Sequence, residues 1–182
     1  GGSQSAGRNL VIDSNSTVTV GHVDEETGEV VGGNQTAGND IKVDSSKVKV
    51  LDSQTATQNI GIANSIAEGM VNPEATNGDI SISKGSTVTV GHVDEVTGEI
   101  VGGNQKAKKD VTISDSDVTV LADQTSTEGS ITISDTNSEQ DPTLVTVDGN
   151  QQAKENISVT GSTLHVGVLV EDVDDKTYSI EG

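Results

Sequence analysis

The chain repeats itself roughly every twenty residues, and a period of that length commits it to stacked, quasi-one-dimensional units. The unit reads Gln-x-Ala-x-x-(Asn/Asp)-(Ile/Val/Leu)-x-(Ile/Val), then a short polar turn containing Ser, then Val-x-Val. Two clear copies are Gln35–Val50 and Gln105–Val120. Aligned on the apolar residue after Asn/Asp, the series is Leu10, Ile41, Ile60, Ile80, Val111, Ile131 and Ile157. The spacings are 31, 19, 20, 31, 20 and 26 residues, so seven coils fit, most with a base length of 19–20.

Within a coil the apolar pattern has period two. In Ile41-Lys42-Val43 the two aliphatics point one way and the lysine the other, and Lys47-Val48-Lys49-Val50 does the same. Asp44-Ser45-Ser46 between them is turn chemistry. A third side carries Ala6, Ala37, Ala56, Ala107 and Ala153, small enough for a tight corner. Three short strand-like sides per coil, with apolar positions converging inward, predict an all-β solenoid. Its coils would stack in parallel ~4.8 Å apart, giving a rod ~30–35 Å long. No segment has a helical period of useful length.

Composition agrees with a thin core. Ile, Leu and Val make up roughly a quarter of the chain, above the level at which high net charge signals disorder. Phe and Trp are absent and Tyr178 is the one aromatic residue. A thick globular core would normally use large aromatics, whereas a narrow column of β-branched residues does not need them. The net charge of −19 excludes a basic footprint for nucleic acid or for anionic membranes. With no Cys there is no disulfide framework. No apolar run approaches the ~18 residues of a membrane span. Gly1–Leu10 has no signal-peptide pattern, so a secretion signal is expected outside this stretch.

The long coils carry insertions. Gly21–Gly33 and Gly91–Gly103 are nearly the same text, and His22 and His92 lie 70 residues, or three coils, apart. Val-Asp-Glu-x-Thr-Gly-Glu-(Val/Ile)-Val alternates on both sides of a Gly-containing turn, which predicts β-hairpins at 21–33 and 91–103 projecting from a single domain spanning 1–182. A third, degenerate hairpin is predicted at 167–180. Two polar ladders follow from the repeat. Gln4, Gln35, Gln54, Gln105, Gln124 and Gln151 share one register, with Glu74 placed in the remaining coil. Asn9, Asp40, Asn59, Asp79, Asp110 and Asn156 share another, with Ser130 as the exception. Stacked amides hydrogen-bond from coil to coil. Stacked carboxylates repel, so the Asp members are expected to cap backbone N–H groups at the turn.

The coil text, notably Asn156-Ile157-Ser158-Val159-Thr160-Gly161-Ser162-Thr163-Leu164, resembles the repeats of filamentous-haemagglutinin-type exoproteins. These are large passengers of bacterial two-partner secretion, among them adhesins and contact-dependent inhibition proteins. The resemblance covers Gln4 to about Val166. It implies a right-handed parallel β-helix and the role of an extracellular stalk at the bacterial cell surface.

The candidate sites lie on the insertions. His22 with Asp24 and Glu25, and His92 with Asp94 and Glu95, combine imidazole with carboxylates, a set that suits a transition metal. Hairpins three coils apart are separated by ~14 Å, too far to share one ion. The acidic residues Asp24, Glu25, Asp94 and Glu95 are also candidates for calcium, which takes several oxygens from a flexible site. His22, Glu29, His92 and Glu99 are the candidate binding residues for a host or bacterial receptor. Carboxylate pairs also occur in glycosidases, but Arg8 is the single arginine and sugar-stacking aromatics are lacking, so no catalytic residue is assigned. Thr17/Thr19 and Thr87/Thr89 suggest an ice-binding array, interrupted on the same face by Lys47, Lys49 and His165. Asn15, Asn34 and Asn156 open Asn-x-(Ser/Thr) sequons, and with Asn156 placed in the ladder, Asn15 and Asn34 are the glycosylation candidates. The expected role is a non-enzymatic stalk or filament body, partnered by neighbouring coils of the same or an identical chain and self-associating end to end. The alternatives are an adhesive module acting through acidic hairpins, and an ice-binding or carbohydrate-active β-helix.

Overall fold

In the computed structural model the described residues are 2–24, 26, 30–94, 97–136, 142–171 and 178–181. They form a three-sided parallel β-helix of seven coils, with no helix among them. Each side is a seven-stranded parallel sheet that receives one short strand per coil. The first side stacks Gln4–Ala6, Gln35–Ala37, Gln54–Ala56, Pro73–Ala75, Gln105–Ala107, Gln124–Ser126 and Gln151–Ala153. On the second lie Leu10–Ile12, Ile41–Asp44, Ile60–Ala63, Ile80–Ser83, Val111–Ser114, Ile131–Ser134 and Ile157–Thr160. The third is built from Thr17–Val20, Lys47–Val50, Ile66–Met70, Thr87–Val90, Asp117–Val120, Leu144–Val147 and Thr163–Val166.

The register follows the repeat. Leu10, Ile41, Ile60, Ile80, Val111, Ile131 and Ile157 pair in direct succession. A one-residue slip would turn every aliphatic outward, so alternation holds this pairing in place. Inward residues of all three sides merge into one aliphatic column. Ile41, Ile60, Ile131, Val48, Val50 and Val120 have no exposed surface. The first side contributes Ala37, Ala56, Ala75 and Ala107, all buried, with the small Ser126 in the sixth coil. Each fully buried Ile or Val contributes roughly 1.5–3 kcal/mol. Repetition of that term along the column is what holds together a chain without disulfides.

The corner between the second and third sides turns through a left-handed residue: Ser45, Asn64 and Asp115 have φ of +50°, +49° and +48°. Polar residues with short side chains tolerate this conformation, which is why Ser, Asn and Asp recur there.

One register differs from the sequence expectation. Pro73, not Glu74, pairs with Gln54, while Glu74 faces Thr55 and Lys106. The reason is alternation: Ala75 points inward, so the residue two before it does too, and Glu74 between them faces solvent. Pro73 is accordingly buried.

Candidate functional site

Polar side chains form four coil-to-coil ladders at or beside the corners. On the first side, Gln35 Nε2 donates to Gln4 Oε1 and Gln54 Nε2 to Gln35 Oε1, both at 2.8 Å. Beyond the proline coil the run resumes: Gln124 Nε2 donates to Gln105 Oε1 and Gln151 Nε2 to Gln124 Oε1, both at 2.7 Å. Pro73 interrupts the series, and buried Gln54 Oε1 is left without a partner. At the next corner each Asn or Asp accepts from a backbone N–H of the following coil. Asn9 Oδ1 takes Asp40 N–H, Asp40 takes Asn59, Asn59 takes Asp79, Asp79 takes Asp110, and Asp110 takes Ser130, at 2.8–3.3 Å. The carboxylates thus face donors rather than one another.

Two further ladders have no counterpart in the sequence reading. Between the second and third sides, the N–H groups of Ser16, Ser46, Ser65, Ser86 and Ser116 donate to the hydroxyls of Ser46, Ser65, Ser86, Ser116 and Thr143 in turn. Each serine hydroxyl also donates to a carbonyl two or three residues back, as Ser46 does to Asp44 at 2.9 Å and Ser116 to Ser114 at 2.8 Å. Between the third and first sides, Asn34 accepts from Ser53, Asn72 from Asn104, Asn104 from Asp123, and Asp123 from Asn150. That last ladder occupies the sequon residue Asn34, whereas Asn15 is exposed with φ of +59°.

The insertions leave from this same corner. His22–Val23 pairs antiparallel with Val30–Val31, and His92–Val93 with Ile100–Val101. A third pair, Val168–Glu171 with Tyr178–Glu181, follows the seventh coil and runs one residue beyond the predicted limit. The roots are superimposable in chemistry. Gly21 and Gly91 have φ of +89° and +87°, and a Cβ on either would lie 2.7 Å from the Cα of Gly33 or Gly103. Only glycine fits such a crossing.

On the hairpins, Asp24 accepts from Glu26 N–H at 2.9 Å and Asp94 from Thr97 N–H at 2.8 Å, so both carboxylates shape the turn. Glu25, Glu29 and Glu95 lie outside the described residues. His22 is exposed across from Val31. His92 is half-buried across from Val101, and its Nδ1 has no partner. Glu99 is exposed, its N–H donating to Thr97 Oγ1. The structure puts His22 and His92 on separate hairpins and brings no three metal-ligating side chains together among the described residues. What the described hairpin strands do present is apolar: Val23, Val30 and Val31 on the first, Val93, Ile100 and Val101 on the second, 36–51% exposed.

The threonine pairs do not make a continuous array. Thr17 and Thr19 stand beside Lys47 and Lys49, and Thr87 between Ile66 and Asp117. Thr89, Thr119 and Thr146 align on the third side until His165 ends the row, and longer hydroxyl rows lie on the second side, where Ser81, Thr112, Thr132 and Ser158 align, beside Ser114, Ser134 and Thr160. Ion pairs between coils decorate the surface: Glu74–Lys106 at 3.0 Å, Lys47–Glu68 at 3.6 Å and Lys108–Glu128 at 3.8 Å. Comparison with protein-family models, with curated proteins and with solved structures finds no match to this chain.

Proposed function

We propose that the chain is a non-enzymatic structural rod, the stalk or filament body of a secreted bacterial surface protein, associating end to end through its coil edges. The observation that carries the reading is the use made of the polar residues. Gln, Asn, Asp and Ser at the corners are committed to bonds between coils. Such a design resists shear between coils and scales by adding more of them. The extracellular bacterial setting rests on the resemblance of the coil text to filamentous-haemagglutinin-type repeats.

The test is to lengthen the rod by one super-repeat. Inserting a second copy of residues 35–104 before Gln105 keeps every ladder in phase, since Gln35 and Gln105 occupy equivalent positions. The longer chain should gain about 14 Å in its largest dimension by small-angle scattering, three coil steps, and unfold at higher denaturant. A chain of unchanged length, or one that loses stability, contradicts the rod.

A second reading, adhesion through the hairpins, is favoured by their exposed aliphatic strands, because exposed apolar patches mark contact surfaces. Replacing Gly91–Asn104 with the native short connection Leu121-Ala122-Asp123 should abolish surface attachment in that case while leaving the coils folded.

A further inference from the structure

We infer that the second side of the fourth to seventh coils is an ice-binding face, whose partner is the surface of an ice crystal. The inference is independent of the hairpins and of the ends of the rod. Alternation turns two hydroxyls outward in each of these coils: Ser81 and Ser83 in the fourth, Thr112 and Ser114 in the fifth, Thr132 and Ser134 in the sixth. Ser158 and Thr160 continue both columns into the seventh. The result is a grid with steps of about 4.8 Å along the rod and about 6.6 Å along each strand. Beneath it Ile80, Ile113 and Ile131 are at most 1% exposed, so close packing of the column holds the grid in place.

These hydroxyls are free where the corner hydroxyls are not. Ser46, Ser86 and Ser116 at the adjoining corner each bond to the backbone. Among the described residues no protein partner engages the hydroxyls of the grid. The grid is also uncharged, although the chain has 29 acidic residues. The carboxylates at its borders are occupied: Asp79 and Asp110 accept backbone N–H groups of the next coil, and Asp115 accepts from Thr136.

Those properties select the partner. A neutral face on a chain of net charge −19 favours a neutral partner. Each hydroxyl both donates and accepts, so the partner must do both. Glycans meet that description, but proteins grip them by stacking aromatic rings, and the one aromatic residue, Tyr178, lies beyond the seventh coil. Ice meets it without stacking. Its oxygens donate and accept in a rigid lattice whose repeats are close to those of the grid. A preorganised lattice engages a fixed one at many points for a single loss of translational freedom.

The test is nanolitre osmometry on the 182-residue chain, with far-ultraviolet circular dichroism as the control for folding. The chain should depress the freezing point below the melting point and facet the growing crystals. Thr112→Lys with Thr132→Lys should abolish both effects. The fold accommodates lysine in this column, since Lys42 occupies it in the second coil. Thr112→Gln with Thr132→Gln breaks the grid without adding charge and should abolish them as well. Thr55→Lys with Thr125→Lys, outward on the first side, should leave them unchanged. A folded chain that neither shapes ice nor shows hysteresis overturns the inference, as do equal losses on the two sides. Retention on microcrystalline cellulose without ice shaping, lost in the second-side variants, assigns the face to a glycan and overturns it too. None of these outcomes bears on the rod, which is tested by its length.

Discussion

Gln124 stands in the aliphatic column with both ends of its amide engaged, donating to Gln105 and accepting from Gln151. An unpaired buried amide is costly, so the ladder makes register a condition of stability rather than a decoration of it. Gln124→Ala strands two neighbours and opens a cavity. It should lower unfolding free energy by roughly 2–4 kcal/mol in urea titration, with the β spectrum retained. Pro73 offers the reverse experiment. Gln54 Oε1 already lacks a partner beside it, and Pro73→Gln would link the two glutamine runs into one. Two new amide bonds outweigh the lost rigidity of proline, for a gain of about 1 kcal/mol in the same titration. No gain would mean that the orphaned oxygen is satisfied in some other way.

Among the elements, the coil strands and the hairpins divide the work unequally. A side chain such as Ile62 is 1% exposed, whereas Val93 and Ile100 are about half exposed. Ile62→Ala should therefore cost about 3 kcal/mol. Substituting Leu-Ala-Asp for Gly91–Asn104 should shift stability by less than about 0.5 kcal/mol, as expected away from the core. Equal losses would place the hairpins inside the folding unit. The coil strands were legible in the sequence because alternation and a fixed period both point inward at Ile41, Val43, Val48 and Val50. The glutamine register was legible by identity, and it misplaced one residue at Glu74, where the chemistry looked right but the parity was wrong. The serine and asparagine corners were not seen as ladders. At the corner of Ser3, Asn34, Ser53, Asn72, Asn104, Asp123 and Asn150 the residues share a hydrogen-bonding role rather than an identity, and two hairpins separate them from the strands before. The hairpins read as acidic from Asp24, Glu25, Asp94 and Glu95, but their described strands are aliphatic.

For the whole molecule, one column and three corners replace the layered core of a globular domain. That arrangement explains how a chain with so few large side chains stays folded, since each coil needs only to cover its neighbour. The acidic surface, with a net charge of −19, opposes side-by-side association of such columns. The central claim is the parallel register of successive coils, and cysteine cross-linking tests it most directly in a chain that has no native cysteine. Thr112 and Thr132 are outward-facing register partners one coil apart, so their Cα atoms are separated by about 4.8 Å, inside the disulfide window of about 4.4–6.8 Å. Thr112→Cys with Thr132→Cys should oxidise to a disulfide in the folded chain, while Ser81→Cys with Thr132→Cys, two coils apart, should remain reduced. Equal cross-linking of both pairs, or none in the first, would contradict the stacked column.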